Sequence, residues 1–315
     1  MVHILEVHMR KKLIVTVFSV VCFFFLLISP LYGQTEALDK GKANITKHMN
    51  KFSNSLLPVI PNVSLQQGVW PDAYIGKVFP GFPPHLGGGV TAGFANVKMT
   101  ALNAAIKEME DALSVKFPTL RETFLFPTIT VDAKVGGLFL PFDIGLSIMK
   151  IPNLSLSKLG APVTVDFFTV GGSFRYAILQ GNVVLPQLSI GLGGYYSKGY
   201  INVGATDGSY INTNFDSKIF FLETQLSKQF LFVTPFIGLR LAVSQANVSW
   251  DIKAASYTLA GGASYDFNKN FAESIQPSLF GGVGFNFLFF QTTLAASFDM
   301  RYKVWGANLS FRAKL

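Results

Sequence analysis

Four histidines, one cysteine and 18 carboxylates are the side chains in this 315-residue sequence that could carry metal, thiol or hydrolytic chemistry. His3 and His8 lie in an N-terminal stretch that reads as removable. His48 and His85 flank the segment ahead of the first strand, and two imidazoles can hold a metal. With no carboxylate cluster beside them they read as solvated or capping side chains. Cys22 follows Val20 and Val21 and precedes the apolar run FFFLLI. A lipidated cysteine wants the reverse, an apolar run and then a small residue ahead of it, so lipidation is rejected. With that stretch gone no cysteine remains, which excludes disulfides, thiolate catalysis and cysteine–zinc sites. A two-carboxylate hydrolase needs two acids facing one substrate. Asp132 and Asp143 flank one tight turn on adjacent strands, but Lys134 and Arg175 stand as their ion-pair partners. The GGG at 87–89 lacks the lysine and following helix of a phosphate loop. The expectation is therefore no enzyme, no catalytic residue, no cofactor and no metal.

The elements that position these residues are set by composition first. Hydrophobic residues make up 50% and charged residues 14%, with 29 glycines and 31 phenylalanines; mean hydropathy is +0.38. Charged residues fall well below the usual soluble share of about 25%. The net charge of +8 is scattered, with no basic run beyond Arg10–Lys12, so nucleic acid is not an expected partner. Residues 9–33 have a basic start, an apolar stretch from Leu13 to Ile28, then Pro30 and Gly33. That is the three-part secretory signal, with cleavage expected after Gly33 and Met9 as the better start. An uncleaved anchor is the alternative.

From residue 88 onward the sequence alternates with period two. Ile129, Val131, Val135 and Phe139 oppose Thr130, Asp132 and Lys134. Phe168, Val170, Phe174 and Tyr176 oppose Thr169, Ser173 and Arg175. Leu188, Ile190, Leu192 and Tyr196 oppose Ser189, Gly191 and Gly193. Phe220, Leu222 and Leu226 oppose Glu223 and Gln225, and Ile237, Leu239 and Leu241 oppose Gly238 and Arg240. The pattern recurs through Phe142–Ile148, Leu279–Phe285, Leu294–Phe298 and Trp305–Leu315. The twenty uncharged residues 277–296 are long enough for a helix span, yet they alternate and read as two strands and a turn.

The polar face decides the class. It is mostly Gly, Ser, Ala and Thr, with single charges at Asp132, Lys134, Asp143, Arg175, Glu223, Arg240, Asp299 and Arg312. Small residues and opposed charges suit the inside of a closed barrel, where these charges are expected to form a network. Connections alternate too. Those at 140–141, 180–186, 231–234 and 288–291 are short, while 99–127, 151–163, 204–216 and 249–275 are long. Phe139, Phe142, Tyr176, Phe230, Phe236, Phe285 and Phe287 cluster at the short turns as an aromatic girdle would. The fold class expected is all-β, an antiparallel transmembrane β-barrel of about ten strands.

With signal segment, alternating strands, girdle and terminal strand in place, residues 88–315 resemble the bacterial outer-membrane β-barrel proteins. The resemblance implies residence in the outer membrane, with its lipid and the barrel-assembly machinery as partners. It also implies an aromatic last residue, where this chain has Leu315. More narrowly, PPHLGGGVTAG (83–93) and FLPFDIG (139–145) are similar to uncharacterised barrel proteins of spirochaete outer membranes. Barrel enzymes of that membrane use a histidine near the outer mouth, and none is expected there.

Residues 34–87 form a separate segment, polar and helix-permitting over 36–57 and then broken by prolines, with Trp70, Tyr74, Phe79 and Phe82 along it. It is expected at the periplasmic mouth, as a plug entering the barrel or as a cap beneath it. Met99, Leu102, Ile106, Met109 and Leu113 share a helical face, which predicts a helix over 99–114 in the first long loop. The division expected is 1–33 signal, 34–87 plug or cap, 88–315 barrel. Two functions fit: a narrow channel for passive uptake of small or hydrophobic solutes, or a non-conducting structural or surface-interaction barrel.

Overall fold

A computed structural model describes residues 39–78, 85–113, 116–117, 120–155, 163–205, 207–254, 257–268 and 271–315. The expected signal segment 1–33 with Cys22, the aromatics Phe79 and Phe82, and the side chain of Leu113 lie outside the described residues.

Eleven strands form one sheet: β1 (Leu86–Lys98), β2 (Thr123–Gly136), β3 (Phe142–Ser155), β4 (Val163–Gln180), β5 (Gln187–Gly204), β6 (Tyr210–Ser227), β7 (Val233–Ala254), β8 (Tyr257–Asp266), β9 (Gln276–Phe287), β10 (Phe290–Asp299) and β11 (Trp305–Lys314). Each pairs antiparallel with its neighbour, and β1 pairs with both β2 and β11, which closes a ten-stranded barrel. β7 supplies the irregularity: its first half pairs with β9 and its second half with β8. Residues 277–296 are indeed strand, turn and strand. One end, here the base, carries the turns 137–141, 181–186, 228–232 and 288–289 and the closing bonds between Leu86 and Leu315 (3.1 and 2.8 Å). The other end is the crown.

Two of the expected long loops are corrected. Residues 210–216 are strand, leaving only 205–209 as the connection, and 249–266 form the β7–β8 hairpin apart from its tip. The alternation there runs in the opposite phase. On β6 the outward positions Leu226, Leu222 and Phe220 are apolar, and from Lys218 through Asp216, Asn214 and Asn212 they are polar. The inward positions switch with them, from Gln225 and Glu223 to Phe215 and Ile211. Lys150 on β3, Asp166 on β4, Lys198 on β5 and Gln245 on β7 mark the same inversion. Below that line the wall has an apolar outside and a polar inside. Above it the crown has a polar outside and an apolar core, as a water-soluble barrel would.

Residues 39–56 (α1) and Val59–Ser64 (α2) fill that core together with Thr100–Leu113 (α3). Ile45, Met49, Phe52 and Leu56 of α1 meet Met99, Leu102, Ile106 and Met109 from the α3 segment and Phe126, Phe167, Phe215 and Trp250 from the wall. The helix expected over 99–114 is observed over Thr100–Leu113 and packs into the crown core. The remaining helix, α4 (Phe271–Ser274), lies between β8 and β9.

The N-terminal segment does not stop at one mouth. Near the crown tip Lys42 lies 4.9 Å from the Tyr257 ring, and Asn50 accepts the Trp250 indole N–H at 3.0 Å. Asn62 donates to Asp299 (3.2 Å), Arg240 donates to the Leu65 carbonyl (2.8 Å), and Arg175 donates to the Asp72 carbonyl (3.0 Å). At the base, the Val78 N–H reaches the Gly137 carbonyl (2.8 Å). Residues 39–78 therefore run through the lumen from crown to base, where the expectation was a plug entering from the base mouth or a cap beneath it.

Candidate functional site

The inward charges of the lower wall form the most densely bonded polar site among the described residues. Asp143 and Arg175 are directly opposite on β3 and β4 and make a two-point pair, Nε to Oδ1 at 2.9 Å and Nη2 to Oδ2 at 2.7 Å. Glu223 and Arg240 are opposite on β6 and β7, with Nε and Nη2 both on Oε2 at 3.0 and 2.7 Å. Arg312 pairs with Asp132 at 2.9 and 2.8 Å, although β1 stands between their strands. Gly89 faces both of them on β1, and a Cβ there would come within 2.7 Å of Arg312 Cγ. Gly191 plays the same part between Arg175 and Glu223: a Cβ would meet Arg175 Cγ at 2.7 Å. Such two-point arginine–carboxylate pairs fix geometry as well as charge.

The chain's own N-terminal segment occupies the centre of this ring. The Asp72 carboxylate accepts from Gln291 (2.7 Å) and Lys314 (3.0 Å). The amide of Gln225 donates to the Trp70 carbonyl (2.7 Å), and the Ala73 N–H donates to Ser227 (2.8 Å). Trp70 is fully buried, with the Arg312 guanidinium 4.8 Å and the Lys134 ammonium 5.7 Å from its ring as cation–π neighbours. The Tyr74 hydroxyl is buried beside them and has no hydrogen-bond partner among the described residues. The arrangement binds the segment at many points.

All eight charges read from the sequence point inward and are buried. They are not one network. Lys134 lies 3.7 Å from Asp143 rather than on Asp132. Asp299 sits at the crown end, where its carboxylate accepts the Tyr302 N–H at 2.6 Å and shapes the β10–β11 turn. Of the girdle, Phe139, Tyr176, Phe230, Phe285 and Phe287 are exposed at the base and Phe142 is half-buried. Phe236 is a correction. It is 6% exposed and points into the lumen against Val69 and Phe280, because it shares parity with Gly238 and Arg240. His48 and His85 lie at opposite ends, on α1 in the crown and beside Gly136 at the base, so they share no ion. His48 reaches the crown, where no histidine was expected, and among the described residues it has no carboxylate partner.

Asp72, Gln291, Lys314 and the backbone of 65–75 were missed by sequence reasoning. Only Lys314, in phase with Arg312, carried a signal.

The sequence matches no protein-family model and no curated protein. Among solved structures it is similar to the translocator domain of the autotransporter NalP from Neisseria meningitidis, at 8% identity and a TM-score of 0.39, over 76% of this chain and 91% of that one. It is also similar to a major outer membrane protein from Thermus thermophilus, at 8% identity and a TM-score of 0.34, over 73% and 99%. A Pseudomonas aeruginosa FadL homologue is similar at 10% identity and a TM-score of 0.28, over 78% and 96%.

Proposed function

We propose that this is an outer-membrane β-barrel that stands closed, filled by its own N-terminal segment, and that acts through the crown it raises above the membrane. The observation that carries the reading is the filled lumen. Residues 45–75 are packed into an apolar core above and bonded to buried charges below. The exposed Val, Ile, Leu and Phe around the lower wall support a hydrocarbon surrounding. Secretion by the N-terminal segment would direct the base to the periplasm and the crown outward. There Lys40, Lys47 and Lys51 share an exposed face of α1, and no described residue pairs with them.

A second reading, a gated path for small or hydrophobic solutes, is favoured by one observation. Buried polar atoms of Gln67, Ser189, Ser217, Thr293 and Asn308 have no hydrogen-bond partner among the described residues, between segment and wall. Such groups want bridging water. Refolded protein in planar bilayers separates the two. The closed barrel gives no conductance steps, whereas steady conductance of the unaltered chain overturns it and restores the channel. Steps that appear only in Asp72→Ala, which cuts the tie to Gln291 and Lys314, favour the gate.

A further inference from the structure

Among the described residues, the base turns carry the most exposed large apolar side chains. Val183 and Val184 are 96% and 82% exposed, Leu231 89% and Leu288 98%, and Leu138, Phe139 and Leu140 lie bare on the remaining turn. In water that is a costly place for such side chains. Turns facing an aqueous compartment carry Gly, Asn, Asp and Ser instead.

The apolar belt that they continue says what covers them. Its upper edge is the inversion line at Lys150, Lys198 and Lys218. Below it, the outward apolar run on β3 extends from Ile148 to Phe142 and on β6 from Phe220 to Leu226. On β4 the run extends from Phe168 to Ile178 and on β7 from Val233 to Val243. At about 3.4 Å per residue and a tilt of about 40°, the short runs rise roughly 16 Å and the long ones roughly 26 Å. A barrel's apolar band is about 25 Å tall. The short runs fall below that height and the long ones just reach it, and from β3, β7 and β9 the apolar outside continues without a polar break into Leu140, Phe232 and Leu288 of the base turns.

The backbone of these turns is also built for a place without water, where each unbonded group is expensive. In 181–186, the Lys228 ammonium donates to the carbonyls of Asn182 (2.8 Å), Val183 (2.8 Å) and Leu185 (3.1 Å). The Asn182 side chain accepts the N–H groups of Val184 and Leu185 at 2.8 and 2.7 Å. The other turns lean on neighbouring strands: Ala177 N–H on the Pro141 carbonyl, Asn286 N–H on Phe232, and Lys314 N–H on Phe289.

We propose that the base turns 138–140, 183–185, 231–232 and 288–289 are embedded in the lipid leaflet at the base, so that the barrel sits flush there and all its aqueous structure is on the crown side. This rests on the membrane reading above. The partner is lipid, at the level where acyl chains meet headgroups. The indented Lys228, held by three carbonyls, is the cation that this depth allows.

The test is depth-dependent quenching in vesicles of phosphatidylcholine carrying bromine on the acyl chains. Single-cysteine variants Leu288→Cys and Val184→Cys carry a bimane label, with Leu222→Cys on the belt and Asn214→Cys on the crown as references. Both turn labels are expected to lose a fraction of their emission similar to that of Leu222→Cys and to resist aqueous iodide, while Asn214→Cys does the opposite. Turn labels that follow Asn214→Cys overturn the proposal and leave the belt intact. A Leu222→Cys label that escapes bromine overturns the membrane reading itself. Turn labels shielded from both quenchers point to a second copy of the chain at the base, which also overturns lipid as the partner.

Discussion

Arg240 shows what a single side chain does in this lumen. Its guanidinium is bonded to Glu223 and to the Leu65 carbonyl, and it lies 4.7 and 4.8 Å from the rings of Phe221 and Phe280. Everything around it presumes the charge. Removing only the carboxylate, in Glu223→Ala, leaves that charge buried and is expected to cost about 3–5 kcal/mol. Removing both charges, in the double variant Glu223→Leu with Arg240→Met, should recover more than half of the loss. Urea unfolding of vesicle-inserted protein, followed by tryptophan emission, measures both. Equal losses would mean that the pair is not what holds this site. The inward direction of these arginines was legible because parity alone sets it. Phe236 obeyed the same parity and was nonetheless placed in the girdle, because its nearness to a turn outweighed its phase.

At the scale of the strand, one inversion of phase accounts for most of what the sequence concealed. Alternation over 210–218 and 245–254 is as regular as elsewhere, but its apolar residues face the other way. A reading tuned to an apolar outside sees polar, loop-like sequence there. The inversion makes a sharp expectation on one face of one strand. On the membrane reading, Leu222→Lys, below the line, puts a charge in hydrocarbon and should cost about 2–4 kcal/mol or block insertion. Asn214→Lys, eight residues away on the same face, stands in water and should change stability by less than about 0.5 kcal/mol. The fraction of folded, heat-modifiable protein after refolding into vesicles ranks the two. Similar losses at both positions would place the line wrongly. The path of residues 39–78 had no such signature. Its partners lie far along the chain, 175 residues on for Leu65 with Arg240 and 242 for Asp72 with Lys314, and no local period records contacts of that range.

For the whole molecule, the order of assembly follows from the path of the chain. The N-terminal segment fills a lumen closed by the pairing of β1 with β11, its first strand with its last. Its ties run to both sides of that seam: Trp70 lies against Arg312, Asp72 holds Lys314, and Ile75 donates to Asp143 at 3.3 Å. A helix as wide as α1, about 10 Å with its side chains, cannot be threaded through a wall already packed around it. The sheet must therefore close around the segment, with Arg312 and Lys314 gathering it as β11 docks. Ala73 is fully buried at the centre of the ring, so a thiol placed there reports the moment of enclosure. In Ala73→Cys, pulse labelling with maleimide during refolding into vesicles should show protection rising together with the heat-modifiable band. Protection that arrives after the band would mean that an empty barrel forms first and is filled later. That sequence of events would require a lumen able to open, and would move the balance from a permanently filled barrel to a gated one.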